Sequence, residues 1–337
     1  MSKILTISIA AYNVQDYIKK TLKSLLIENI DDLEILVEDD GGTDNTVNIV
    51  KEYEKKYPNI IKIVHKENGG YGSTINKSIE IASGKYFKQL DGDDWYDSEN
   101  LKELLNVLRK TAADAIYTPY KEFYENGKIY KLKDFLSEDI CGEINIETAV
   151  KNNNKHFNMY TMCYKTEILR KNNIKLLEKC FYTDTQYAMY PIPNLRNVYV
   201  LHKPIYVYRL GRTEQSVSVE GHIKHYKDHV KVSKDIIEFY NKTKFDNKYV
   251  QEYIWRYIVE HVAETISGFY MVLEPTKENL EKIIIFEKYI LAKNETLYKD
   301  IAKQSKIVRI LRMTMYNFGV YKILRKYKIK KLKNRHK

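Results

Sequence analysis

Leu33-Glu34-Ile35-Leu36-Val37-Glu38-Asp39-Asp40-Gly41-Gly42 passes in one short stretch from an apolar run, through three consecutive carboxylates, to a glycine pair. Leu33–Val37 reads as a buried strand, the acids sit at its carboxyl end, and the glycines mark a turn. Thr43 or Asp44 can cap a helix whose Val47, Val50, Tyr53 and Tyr57 recur at helical steps before Pro58. Upstream, Lys3–Ala11 reads as a first strand and Gln15–Leu26 as a helix with Tyr17, Ile18, Thr21, Leu22, Leu25 and Leu26 on one face. Downstream, Ile60–Val64 is a third strand. Asn68-Gly69-Gly70-Tyr71-Gly72 leads into a helix with Ile75, Ile79 and Ala82, and Tyr86–Leu90 is a fourth strand ending at Asp91. Strands alternating with helices predict an α/β domain, Rossmann-like, with a mostly parallel sheet.

Residues 112–210 are mixed. Ala115–Tyr120 and Ile129–Leu132 read as strands, and Val198–Leu201 and Ile205–Leu210 as a pair around His202-Lys203-Pro204. From Gly221 onward the pattern is helical, with helices expected across 222–242, 247–272 and 276–300. The expected organisation is a catalytic domain over 1–220 (a nucleotide-sugar half over 1–110, an acceptor half over 111–220), then a helical C-terminal region over 221–337.

The chain has 337 residues, 44% hydrophobic and 30% charged, which is a globular rather than a disordered composition. Thirty tyrosines suit sugar-stacking surfaces, but AT-rich codon usage is the favoured reading of them. Cys141, Cys163 and Cys180 are odd in number and lack metal-type spacing, which favours a reducing compartment over a disulfide framework. The apolar stretch Ile4–Ala11 is too short for a membrane span, and no small-residue cleavage site follows it, so it reads as a first strand. No run approaches the ~18 apolar residues of a transmembrane helix.

The net charge is +11, and 12 Lys or Arg with no Asp or Glu fall between Lys306 and Lys337. The remaining chain therefore sums to 11 − 12 = −1, and the tail carries the whole basic excess. Ile307, Val308, Ile310, Leu311, Met313, Met315, Phe318, Val320, Tyr321, Ile323, Leu324 and Tyr327 lie among these cations, several at three- and four-residue steps. That pattern predicts an amphipathic helix on an anionic membrane, with part of the apolar set able to dock on the protein instead. A nucleic-acid tail would not need so much apolar surface, and no nucleic-acid partner is expected.

Two acidic groups fall at carboxyl ends of predicted strands, where open α/β sheets bind ligands: Glu38-Asp39-Asp40 and Asp91-Gly92-Asp93-Asp94-Trp95. Clustered carboxylates repel one another unless a cation or hydrogen-bond donors offset them, and a divalent metal with a diphosphate answers that need. The plainer reading is two acidic turns, one helping to cap a helix.

On these residues, 4–95 resembles the inverting family 2 glycosyltransferases of the GT-A fold. Ile9-Ala10-Ala11-Tyr12-Asn13 is similar to their P-x-Y-N strand, and Asp39-Asp40-Gly41-Gly42-Thr43-Asp44 to their D-D-G-S-x-D. Asn68-Gly69-Gly70 with Asn76 is similar to N-x-G…R-N, and Asp91-Gly92-Asp93-Asp94 to the D-x-D-D metal motif. Ala10 stands at the family's proline, where the backbone makes the contact, and Ile75 where an arginine often precedes the asparagine. The resemblance implies a UDP-sugar donor, a UDP-hexose or UDP-N-acetylhexosamine. Tyr12 would flank the base, Asp39 or Asp40 would hydrogen-bond it, and Asp91 would face the ribose. Asp93, with Asp91, would bind Mg2+ or Mn2+. Ala10, Asn68, Asn76 and Gly92 belong to the same implied donor set.

Inversion needs a base for the acceptor hydroxyl. Family members place a carboxylate after an aromatic at a helix start, which Phe181-Tyr182-Thr183-Asp184-Thr185 resembles with Thr183 in a glutamate position. This assigns Asp184, whose plain alternative is a helix cap. Tyr206–Ser218 resembles an arginine-and-serine stretch of bacterial members. Arg209 or Arg212 would bind diphosphate or acceptor, or form a surface pair. The implied acceptor is a glycan or polyprenyl-linked sugar in bacterial surface polysaccharide synthesis. The implied place is cytoplasmic, peripheral on the inner face of the cell membrane.

His222 and His225 could share a helix face, as metal ligands or as solvated residues. The Q-x-x-R-W of processive synthases is missing, as are G-x-G-x-x-G and the P-loop. A nucleotidyltransferase is the rival enzyme, but Tyr12-Asn13-Val14-Gln15 replaces its glycine-rich basic loop. A non-catalytic, membrane-associated sugar-nucleotide-binding protein is the other alternative, and an intact Asp91, Asp93 and Asp184 set argues against it.

Overall fold

Leu5, Ile7, Ile9, Leu33, Ile35, Val37, Tyr86, Phe87 and Leu90 are fully buried, because a sheet covered on both faces turns its strands into near-continuous apolar runs. The structure is a computed structural model and describes residues 3–28, 30–125, 128–153, 155–210 and 218–335. The strands in chain order are β1 (Leu5–Ala11), β2 (Leu33–Asp39), β3 (Ile61–His65), β4 (Tyr86–Asp91), β5 (Trp95–Tyr96) and β6 (Ala115–Tyr117). They continue as β7 (Tyr120–Tyr124), β8 (Ile129–Lys133), β9 (Gly142–Asn145), β10 (Met162–Lys165), β11 (Asn197–Val200) and β12 (Tyr206–Leu210). Two sheets result, in the orders β3-β2-β1-β4-β10-β6-β11-β9 and β5-β12-β7-β8.

The first four strands run parallel, linked by α1 (Ile18–Leu25), α2 (Thr46–Lys56) and α3 (Tyr71–Ile81). β1 has β2 on one side and β4 on the other, so the strand order reverses there. The crevice outside the carboxyl ends at such a reversal is where open sheets take ligands. The mostly parallel α/β sheet is as the alternation predicts. α4 (Ser98–Lys110) is capped by Asp97, which accepts the Asn100 N–H. α5 (Ile146–Asn152), α6 (Thr166–Lys171) and α7 (Asp184–Met189) complete this part.

Two expectations for residues 112–210 are corrected. Ala115–Tyr120 is not one strand: β6 lies in the large sheet and β7 in the small one. Nor do 198–201 and 205–210 pair, since β11 joins β6 and β9 while β12 joins β5 and β7. The reason is a shared crossing. Leu201 N–H donates to Tyr117 O (3.0 Å) and Ile205 N–H to Pro119 O (3.3 Å), so two parallel chain segments step together from one sheet to the other. Pro119, lacking an N–H, sits at the step.

Two compact units emerge: Met1–Leu210 with Asp246–Val250, and Gly211–Phe245 with Gln251–Lys337. The helices of the C-terminal region are α8 (Val219–Lys242), α9 (Lys248–Glu264), α10 (Lys277–Lys293), α11 (Glu295–Gln304), α12 (Lys306–Met313) and α13 (Phe318–Arg335). α9 continues into a π-helical turn over Thr265–Phe269. The single helix expected over 276–300 breaks at Asn294, whose side chain caps α11 by accepting the Leu297 N–H at 2.9 Å. His225 departs from helical geometry within α8, and the His222 ring stacks on Phe269 at 4.2 Å, so these two do not form a shared metal face.

The basic tail is two helices around a turn in which Met315 and Tyr316 take left-handed φ values of 47° and 56°. Val308, Leu311, Tyr321 and Leu332 are buried, and Glu287 receives the Arg312 guanidinium (2.8 Å) and the Tyr316 hydroxyl. Met313 and Met315 stay 76% and 88% exposed, and Ile323 and Tyr327 also face solvent. Among the described residues no helix is long and apolar enough to cross a membrane.

Candidate active site

β4 delivers Asp91 to the carboxyl edge, level with Ala10 on β1. Gly92 follows, its N–H donating to Ala10 O at 3.0 Å. A Cβ on Gly92 would stand 2.9 Å from that oxygen and 3.0 Å from Val14 Cγ2, so a side chain here would push the loop off β1. The loop closes through Asp94 N–H to Asp91 O at 3.1 Å. Carboxylate oxygens of Asp91, Asp93 and Asp94 then lie within 4.8 Å of one another. Burial, then the charge of Asp93, pushes the Asp91 carboxyl well up from the usual carboxylate range, and the same two causes raise Asp94. Three carboxylates crowded this closely are what a bound divalent cation relieves, so the residues present fit Mg2+ or Mn2+. Among the described residues this is the one cluster of that kind.

The other acidic stretch behaves differently. Glu38, Asp39 and Asp40 do not share a cation; each has its own partner. Glu38 turns under α3, where Ser78 Oγ donates to it at 2.8 Å. Asp39 accepts from Gly42 N–H (3.2 Å) and meets His65 Nδ1 at 2.5 Å, the next strand over in register. Asp40 accepts from Gly69 N–H and Gly70 N–H, both 2.8 Å, and from the Lys66 ammonium. Its carboxylate thereby fixes the glycine loop. Asn68 Nδ2 adds a bond to Asp40 O at 2.9 Å.

That loop explains how the segment leading to Asp184 comes to lie against α3. Gly70 has φ +78° and abuts the Lys179 backbone, while a Cβ on Gly72 would overlap Leu177 O at 2.0 Å. Only glycines let residues 176–180 approach this closely. Asn76 secures the same segment, accepting from Leu176 N–H (2.9 Å) and donating to Leu176 O (2.9 Å). The chain then passes through Tyr182, at φ 65°, to Asp184 at the start of α7. Burial raises the Asp184 carboxyl, and its charge acts on Asp91, Tyr71 and Tyr160. Asp184 therefore lies close enough to Asp91 for its charge to act there, beside the cluster that Asp91 forms with Asp93. The residue at the cap position of α7 is Thr183, not Asp184.

Tyr12 stands exposed just past β1, above the crevice. Asn13, at φ 52°, accepts from Thr43 N–H (2.8 Å) and Asp44 N–H (3.3 Å) and so closes the Gly41-Gly42 turn onto β1. Arg209 is buried. Its Nε donates to Asp93 O at 2.9 Å, its Nη1 meets Glu125 at 2.7 Å, and its guanidinium lies 4.9 Å from both the Tyr17 and Trp95 rings. It braces the acidic loop from behind. Arg212 lies outside the described residues.

Several site residues escaped the sequence reading. Tyr71 OH donates to Asp91 Oδ1 at 2.9 Å, and Tyr206 OH donates to Asp94 Oδ2 at 2.6 Å. Tyr160 stacks between Tyr206 (4.6 Å) and Tyr208 (4.8 Å) beside the carboxylates. His65 and Lys66 at the end of β3 complete the set. Tyr71, Tyr206 and Tyr208 lay inside quoted stretches and could have been noticed; Tyr160, His65 and Lys66 carry no local signal.

Comparison with known proteins agrees with this geometry. The family model described as glycosyl transferase family 2 matches residues 6–177. An uncharacterized glycosyltransferase of Mycoplasma genitalium, MG060, is 26% identical over 246 residues, covering 69% of this chain and 78% of its own. Chondroitin synthase of Escherichia coli is 31% identical over 156 residues, 43% of this chain but 23% of that protein. Among solved structures, S. aureus TarS 1-349 in complex with UDP-GlcNAc superposes with TM-score 0.71 at 19% identity, covering 96% of this chain and 90% of that one.

Proposed function

Since this chain belongs to glycosyl transferase family 2 and is a glycosyltransferase, we propose that it moves a sugar from a UDP-hexose or UDP-N-acetylhexosamine to a hydroxyl of a glycan or polyprenyl-linked acceptor, with inversion. The carrying observation is the cluster of Asp91, Asp93 and Asp94 at the carboxyl edge of the sheet, with the charge of Asp184 acting on Asp91. Asp184 takes the proton of the attacking hydroxyl. Its carboxyl, raised by burial, is the stronger base for it once ionised. Asp93 and Asp91 hold the divalent cation, which when bound supplies charge neutralisation at the departing diphosphate. Tyr12 flanks the base, Asp39 lies within its reach, and Asp91 faces the ribose. Asp40, Asn68 and Asn76 act on the donor indirectly, by holding the glycine loop and the segment leading to Asp184.

TarS structures with UDP-GlcNAc and UDP support a uridine donor. A mannosyltransferase of Pyrobaculum calidifontis, solved with GDP-Man and Mn2+, supports the metal at TM-score 0.52. Chondroitin synthase among the relatives supports a polysaccharide product. The exposed cations and apolar residues of α12 and α13 support work at the inner face of the cell membrane, on anionic lipid. The test is UDP release from a panel of UDP-sugars by the parent and by Asp184→Asn. Donor binding that persists while transfer falls fits the base. Loss of donor affinity with transfer per bound donor unchanged would reassign Asp184 to the donor side.

A further inference from the structure

We infer that Tyr206 and Asp94 are positioning residues: from a strand of the other sheet, one tyrosine hydroxyl sets the spacing at which Asp91 and Asp93 take their cation. This rests on the reading that the acidic loop binds a divalent metal. A phenol has one proton to give and lone pairs to accept with. Tyr206 OH donates to Asp94 Oδ2 at 2.6 Å and accepts from Asp91 N–H at 3.2 Å, so a single oxygen staples both ends of the 91–94 turn. The next contact along β12 repeats the grip, since Arg209 N–H donates to Asp94 Oδ1 at 2.8 Å. Both Asp94 oxygens are thus already engaged by β12, and Asp94 is buried where Asp93 is not. Asp94 therefore serves the shape of the loop, and ligation falls to Asp91 and Asp93. Small octahedral cations demand closely set ligand distances, so a loop free to relax binds them less well. Tyr206 is itself held from the side by the rings of Tyr160 (4.6 Å) and Tyr96 (5.8 Å).

The experiment measures Mn2+ binding in the presence of UDP by the paramagnetic resonance signal of free Mn2+, using the full chain. Tyr206→Phe should weaken Mn2+ by about tenfold to a hundredfold, the factor carried by one buried hydrogen bond to a charged group. Excess Mn2+ should restore most of its kcat. Asp94→Asn, which can still accept from Arg209 N–H, should move affinity the same way and stands in if the phenylalanine variant does not fold. Tyr96→Phe is the control: it is buried in the same sheet and its hydroxyl donates to Gln89 O at 2.8 Å, away from the acidic loop. It should keep Mn2+ affinity within about twofold, since it removes no bond to that loop. Parent-like Mn2+ affinity in both the Tyr206 and Asp94 variants, or equal losses in the Tyr96 control, would overturn the inference. A parent that binds no Mn2+ would overturn the metal reading along with it, a failure visible before any variant is made.

Discussion

Replacing Glu38 by Gln should stabilise the protein at high pH and leave it nearly unchanged at low pH. Glu38 is fully buried, with Ser78 on one oxygen and no partner for the other among the described residues. Burial pushes its carboxyl up to about 7, against the pull of Ser78 and the lysines at 66, 77 and 62. The unfolded carboxyl titrates near 4.5. Below that both states hold the proton and Glu38 costs nothing. Between about 4.5 and 7 the unfolded chain gives up its proton while the folded chain keeps it, so stability falls by about 1.4 kcal/mol per pH unit. Above 7 the full loss, about 3 kcal/mol, is in place. A glutamine has the shape of the protonated acid and never ionises. Urea unfolding of parent and Glu38→Gln should give similar midpoints at pH 5 and a clear advantage for the variant at pH 9. A difference that is the same at both pH values would refute the reasoning. The position matters because Glu38 bonds Ser78 of α3, the helix that starts with Tyr71.

The remaining expectations are shorter. Asp184→Asn should cut transfer about a hundredfold or more with donor affinity kept, read by steady-state kinetics beside UDP binding. Lys322→Gln with Lys326→Gln should weaken binding to anionic vesicles by roughly thirtyfold, at about 1 kcal/mol per cation, while soluble-donor hydrolysis holds. Equal vesicle binding by parent and variant would remove the membrane role. Cutting the chain after Ser305 is the poorer test, since Val308, Leu311 and Tyr321 are buried and Arg312 pairs with Glu287. His229 is buried beside His261 at 4.1 Å, and burial holds its imidazole well below the ordinary 6.5. Its folded state refuses a proton that the unfolded state accepts. The chain should therefore lose up to about 1.4 kcal/mol per pH unit as pH falls below 6.5, and His229→Leu should flatten that slope in acid denaturation.

The parallel core was legible because its strands are apolar on both faces and its helices carry their own period. The second sheet was not. β6 and β7 are separated only by Thr118-Pro119, and β11 and β12 by His202-Lys203-Pro204, and only pairing across more than eighty residues shows that each pair splits between the two sheets. At the site, strand ends located the carboxylates, but local sequence could not tell which cluster would be offset by protein donors. Asp39 and Asp40 are answered by His65 and Lys66, one strand away, and Asp94 by Tyr206 across the chain. The glycines of 69–72 looked like a ligand loop. The closest neighbours of Gly70 and Gly72 are backbone atoms of 177–180, which no local pattern announces. In the tail, spacing revealed helical apolar steps but not that Tyr321 and Leu332 face inward while Ile323 and Tyr327 face out.

The most direct test of the central claim follows UDP release and sugar transfer across a panel of UDP-sugars, with Mn2+ or with excess EDTA, for the parent and for Asp93→Ala. The account predicts turnover with at least one UDP-sugar, lost on chelation, regained with added Mn2+, and absent from Asp93→Ala under all conditions. Undiminished turnover in excess EDTA, or an Asp93→Ala enzyme as fast as the parent, would contradict it.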